Sequence, residues 1–267
     1  MAEAEVNYES VGPGVTFDDV LQLHAGTPDE FFQYGDSPSQ FAELWFPEPD
    51  ERPAPVVAFI HGGCWLREYG IEHSHALATA LKCAGYAVWN MEYRRVGEAG
   101  GGWPGSLEDI QAALKLLTTL SLDGLDLHEP VIAGHSAGGH LALLATHGMA
   151  QSRVPDAAAP AVIGLAPIID IAQYATGEGS CNKAAVQFMG GTPDERPQCY
   201  RAATPPWPAA QMRGLILMGE RDDIVPPQAR YLPPDRSAWP DAGHFDWIHP
   251  GTPACREFLE QLGALSK

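Results

Sequence analysis

Apolar residues fall in short unbroken runs, and between them lie longer stretches where apolar and polar positions mix with helical spacing. Val56-Val57-Ala58-Phe59-Ile60 is uncharged and rich in β-branched side chains, the pattern of a buried strand. Tyr86 to Tyr93, Pro130 to Ala133, Ala161 to Leu165 and Leu215 to Met218 read the same way, with a shorter strand over Arg236 to Trp239. Ser39 to Phe46 has the mixed alternation of an edge strand, and Pro47 to Pro53 reads as a turn. Helices are predicted over Glu72 to Cys83, with Gly85 as its C-cap, from an N-cap at Ser106, over His140 to Met149, and over Thr252 to Leu265. Strands alternating with helices imply an α/β fold class, a mostly parallel sheet with helices on both faces. The expected organisation is one domain over residues 1–267. Residues 1–38 form a peripheral segment with a short helical piece over Phe17 to His24. Residues 167–208 read two ways, as a lid or lip over a site or as a helical crossover with long loops.

Candidate chemistry gathers just past the strand ends. The strand ending at Ala133 meets the helix beginning near His140 through Gly134-His135-Ser136-Ala137-Gly138-Gly139, so the chain must turn sharply with Ser136 at the apex. A serine hydroxyl is a poor nucleophile until a base takes its proton, and a neutral imidazole does this when a carboxylate fixes its tautomer. Asp222 and His244 follow the last two strands and are the expected partners. Asp223 is the rival acid, but only Asp222 stands three residues after Gly219 and three before Val225. His61 and His135 read as loop-bracing groups and His140 and His147 as helix-face residues. His73 and His75 read as solvated groups at a helix start, and His249 as a surface residue. The strand ending at Ile60 runs into His61-Gly62-Gly63-Cys64-Trp65, where consecutive glycines let backbone N–H groups approach a ligand.

Together these stretches resemble the α/β-hydrolase superfamily, in its hormone-sensitive-lipase-like and kynurenine-formamidase-like branch. His61-Gly62-Gly63-x-Trp65 resembles the oxyanion motif of that branch, and Tyr93-Arg94 with Trp103-Pro104-x-x-x-x-Glu108-Asp109 its next landmark. Gly134 to Gly139 resembles its nucleophile elbow, while Gly219-x-x-Asp222-x-x-Val225-Pro226 and Gly243-His244-Phe245 resemble its acid and base loops. The resemblance implies the order Ser136, Asp222, His244 as catalytic residues, with an oxyanion hole from the N–H groups of Gly63, Cys64 and Ala137. It implies a serine hydrolase that needs no cofactor and no metal and cleaves a small carboxylic ester. An aryl formamide of the N-formylkynurenine type is the alternative substrate. A non-catalytic binding protein on the same scaffold is the alternative from another class. One departure stands out: lipase-like members carry a third glycine where this chain has Cys64, whose side chain then reads as a bystander.

Composition narrows the remaining choices. A net charge of −18 argues against nucleic acid and anionic membrane as partners. Five cysteines, scattered and without a CxxC, argue against a zinc site or a disulfide framework, with a single Cys181–Cys199 bridge left open. A reducing cytoplasm is the compartment expected from that count. The acidic N-terminus has no signal-peptide pattern, and no apolar run is long enough to span a membrane. The expected partner is therefore a small-molecule ester or formamide, with the oligomeric state left open.

Overall fold

The computed structural model describes residues 6–48, 53–152, 159–207, 212–228, 239 and 241–265. Seven strands form one sheet: β1 (Glu30–Gln33), β2 (Phe41–Trp45), β3 (Ala54–Ile60), β4 (Ala87–Met91), β5 (Leu125–His135), β6 (Ala161–Leu165) and β7 (Arg213–Leu217). Their spatial order is β1-β2-β4-β3-β5-β6-β7. Strands β1 and β2 pair antiparallel, β2 joins β4 antiparallel, and every pairing from β4 through β7 is parallel. This is the mostly parallel sheet that the apolar runs predict.

The alternation along β3 shows how the sheet is covered. Val56, Ala58 and Ile60 enter one apolar cluster while Val57 and Phe59 enter the other. Side chains of a strand point to opposite faces in turn, so a wholly apolar strand needs helices on both sides. Helices α3 (Gly105–Leu117) and α4 (Ala137–Ser152) supply Ile110, Leu114 and Leu141 to the first cluster. Helices α2 (His75–Cys83) and α8 (Pro253–Leu265) supply Leu77, Leu81, Phe258 and Leu262 to the second. Helix α1 (Phe17–Leu21) lies in the N-terminal segment. The stretch after β6 holds three short helices, α5 (Ile171–Tyr174), α6 (Ser180–Met189) and α7 (Pro197–Ala202).

Several local expectations change. The N-terminal segment contributes β1, whose mostly exposed Glu-Phe-Phe-Gln run carries little apolar signal. Strand β5 begins at Leu125, five residues before Pro130. Ser106 is not an N-cap: α3 starts at Gly105, and the Ser106 hydroxyl donates to the Arg94 carbonyl at 2.6 Å. Arg94 does pair with Asp109, at 2.6 Å and 2.8 Å, tying loop to helix as expected. Of the strand expected over Arg236 to Trp239, residues 236–238 lie outside the described residues, and Trp239 forms a parallel bridge with Gly219.

Candidate active site

The strand register sets the frame. Ile60 pairs with Gly134, Gly134 with Gly164, and Gly164 with Ile216, so four parallel strands end side by side. The loops that follow β3, β5 and β7 therefore open onto one edge, where α/β sheets build their sites.

Ser136 sits at φ +56°, in the left-handed region that a side chain disfavours. Its N–H donates to the Leu165 carbonyl at 2.8 Å, and its own carbonyl accepts from His140 N–H at 3.0 Å as α4 begins. The flanking glycines make this turn sterically feasible. A Cβ at Gly134 would lie 2.4 Å from the Gly138 carbonyl oxygen, and one at Gly138 would lie 2.2 Å from the Ile60 carbonyl oxygen. The pattern Gly-x-Ser-x-Gly is thus a packing requirement as well as a conformational one.

The acid and base loops are stitched together by backbone. Trp239 N–H donates to Met218 O at 2.8 Å, Glu220 N–H to Trp239 O at 2.9 Å, and Arg221 N–H to Ala242 O at 3.0 Å. This brings Asp222 against His244, where His244 Nδ1 donates to Asp222 Oδ2 at 2.7 Å. The other carboxylate oxygen, Oδ1, accepts from Ile224 N–H at 3.0 Å and Val225 N–H at 2.7 Å. Asp222 and His244 are buried, at 4% and 6% exposure, whereas Asp223 is exposed. Of the two adjacent acids, Asp222 is the one that meets His244.

His135 braces the loop that carries His244. Its Nε2 donates to the His244 carbonyl at 2.9 Å. Burial, and then the neighbouring His244 ring, hold His135 well below the usual imidazole range, so it stays neutral. His61 braces the other loop, with Nε2 donating to Glu92 Oε1 at 2.8 Å and its ring stacked on Tyr93. Glu92 also accepts from Ile71 N–H and Tyr93 N–H and meets Arg95 at 3.3 Å. Burial pushes its carboxyl up, but His61, Arg95 and the Tyr93 N–H together hold it below its ordinary value.

The loop between them, Gly63-Cys64-Trp65, has three successive positive φ values, +99°, +52° and +57°. A Cβ at Gly63 would lie 2.4 Å from the Tyr69 Cβ, so the first position admits only glycine. Among the described residues, no group accepts from the N–H of Gly63 or Cys64. Ala137 N–H opens α4, where a helix has no internal acceptor. A Cβ at Gly62, next to Gly63, would lie 3.2 Å from the Ser136 Cβ, so this loop runs beside Ser136. A cavity of about 380 Å³ adjoins the site, lined by Pro167, Ile168, Tyr174, Asp223, Ile224 and Val225, among others.

The cysteine expectation is overturned. Cys64 is joined to Cys181 by a disulfide with a Cα–Cα distance of 5.3 Å, across 117 residues of sequence. Cys199, the partner left open for Cys181, is free, and the Cys64 side chain is no bystander. Two histidine assignments also change. His73 is buried, packed edge-on against His61 and against Phe17, and burial lowers its pKa to about 3. His249 is buried and accepts from Gly251 N–H at 3.2 Å. His75 pairs with Glu43 at 3.0 Å. Among the described residues no group of three or more His, Cys, Asp or Glu is arranged to hold a metal ion. No described helix is long and apolar enough to cross a membrane.

A residue missed in the sequence is Asp246, two positions after His244. Its carboxylate accepts from Gly14 N–H at 2.8 Å, Val15 N–H at 2.9 Å and Gly243 N–H at 2.7 Å. An acid close behind His244 was the available signal, but two of its three partners, Gly14 and Val15, lie at the other end of the chain.

A family model described as BD-FAE matches residues 42–232. Esterase LipC of Mycobacterium tuberculosis is 28% identical over 209 residues, covering 72% of this chain and 51% of that protein. The probable isoprenylcysteine alpha-carbonyl methylesterase ICME of Oryza sativa is 30% identical over 113 residues, covering 42% of this chain and 27% of that protein. The chain thus spans about half or less of the length of these curated relatives. Among solved structures, esterase B of Lactobacillus rhamnosis superposes with a TM-score of 0.71 at 22% identity, covering 93% of this chain and 90% of that one.

Proposed function

The chain belongs to the BD-FAE family of α/β-hydrolases, and from that premise we propose that it is a serine esterase acting on a small carboxylic ester through an acyl-enzyme. The observation that carries the reading is the 2.7 Å bond from His244 Nδ1 to Asp222. With Nδ1 committed to the carboxylate, Nε2 is the nitrogen left to take a proton from Ser136. Ser136 Oγ then attacks the ester carbonyl. The oxyanion of the tetrahedral intermediate is received by the N–H groups of Gly63, Cys64 and Ala137. His244 returns its proton to the departing alcohol, and the same imidazole activates water to release the acid. Asp222, fixed by two backbone donors, stabilises the imidazolium at each stage. No cofactor or metal takes part in this scheme. The relatives carry ester-hydrolysing names, which supports an ester over the aryl formamide.

The test is labelling with a fluorophosphonate probe, followed by mass spectrometry of the adduct. One phosphonyl group on Ser136 is expected, with Ser136→Ala unlabelled and lower in kcat by roughly 10⁴- to 10⁶-fold on p-nitrophenyl acetate. A folded Ser136→Ala variant that keeps a tenth of the activity would remove Ser136 from the mechanism. A wild type that neither labels nor turns over would leave the binding-protein reading.

A further inference from the structure

The loop that carries the proposed oxyanion donors is held by an unusual set of anchors. Gly63 takes its positive φ because it has no Cβ. Trp65 takes it with its ring fully buried and stacked on Phe188 of α6, centroids 4.6 Å apart. Cys64, between them, sits at φ +52° with a short side chain that no stacking restrains. Such a conformation persists in an L residue only where the surroundings over-determine it. Two things restrain Cys64: the turn closed by Leu66 N–H donating to Gly63 O at 2.9 Å, and the covalent bond to Cys181 in the first turn of α6. Helix α6 is itself fixed. Asn182 Oδ1 accepts from Gly179 N–H at 3.0 Å while its Nδ2 donates to Tyr174 O at 2.8 Å. At the other end, Phe188 O accepts from Trp103 N–H at 2.8 Å.

We infer that Cys181 is a positioning residue for the reaction: through its disulfide it holds the backbone N–H of Cys64 in line with the oxyanion. The inference rests on the serine-esterase reading. It also assigns a role to the excursion after β6, which then acts as the abutment against which the oxyanion loop is braced. Reduction by a dithiol breaks the S–S bond with two electrons. Each sulfur gains a proton and the dithiol closes to its cyclic disulfide, leaving the turn hydrogen bond from Leu66 N–H to Gly63 O as the remaining hold on the Cys64 backbone.

The experiment follows kcat and KM for p-nitrophenyl acetate on oxidised protein, on protein reduced with dithiothreitol, and on Cys181→Ser, with thiols counted in parallel. Oxidised protein should titrate three thiols after unfolding, Cys83, Cys199 and Cys255, and reduced protein five. Reduction should lower kcat at least about tenfold, approaching the 10²- to 10³-fold of a missing oxyanion donor, with KM within a few-fold. Reoxidation should restore the wild type. Cys181→Ser should match the reduced wild type and ignore dithiothreitol, while Cys199→Ser should behave as wild type in both states. A bond that merely stabilised the fold would lower the melting temperature and leave kcat intact well below it. Unchanged kcat with five thiols titrated overturns the inference, as do five thiols in protein never exposed to reductant. Should Cys181→Ser fail to fold, the reduction and reoxidation of folded wild type decides alone. A wild type inactive in both states removes the esterase reading, and this inference with it.

Discussion

Asp222 and Asp223 are adjacent, yet only Asp222 is buried against His244. Asp222→Asn should therefore lower kcat by about 10⁴, since an amide no longer fixes the tautomer of the imidazole. Asp223→Asn should change it by less than a few-fold. Steady-state kinetics on the two variants check this, and the reverse ranking would mean that the wrong carboxylate had been assigned. Spacing from Gly219 pointed to the acid that meets His244 because the turn the two acids share is local. Residues whose surroundings come from distant segments were harder to read. His73 was expected in solvent, but Phe17 and His61 close over it. His249 was expected on the surface, but it is buried in a turn that the N-terminal segment covers, Val11 N–H donating to Gly251 O at 3.0 Å.

Among the elements, α4 follows directly on Ser136 and carries a buried histidine in its first turn. His140 is fully buried, and its Nε2 donates to the Ala203 carbonyl at 2.6 Å just past α7. Its Nδ1 has no partner among the described residues. Burial lowers its pKa from 6.5 to about 4, against the smaller opposing effect of the Ala203 carbonyl. The folded-state value lies below the unfolded one, so below pH 6.5 the unfolded chain takes up the proton first. The contribution is complete above about pH 6.5 and is lost as pH falls toward 4, a change on the order of 3 kcal/mol for this residue. Denaturant midpoints should fall across that window, and His140→Gln, which keeps an N–H donor, should flatten the slope. A wild-type midpoint unchanged between pH 7.5 and 4.5 would contradict it. The elements themselves were legible where the apolar pattern was strong, as in β3, β4 and β6. They were illegible where it was weak, as in the mostly exposed β1, and Ser106 looked like a cap because its hydroxyl suits one.

For the whole molecule, the parallel sheet and the order of its loops were readable because each strand and its following loop are contiguous in sequence. The Cys64–Cys181 bond was not, since nothing in the spacing of five scattered cysteines pairs two that lie 117 residues apart. The bond also removes the ground for expecting a reducing compartment, which rested on the want of a disulfide.

The Asp246 carboxylate, which gathers Gly14, Val15 and Gly243, ties the His244 loop to the N-terminal segment. Gly14 and Asp246 are 232 residues apart, so this clasp can close only after both ends of the chain have converged on the finished sheet. Contacts of such separation form late, because the entropy of the intervening loop must be overcome first. On dilution from denaturant with the disulfide intact, helical and sheet signal should return before turnover of p-nitrophenyl acetate, the interval being the time in which the His244 loop finds its anchor. Asp246→Asn should lengthen that interval, while Asp223→Asn should leave it as it is. Simultaneous recovery of circular dichroism and turnover in the wild type would show that the base loop is ordered without the clasp.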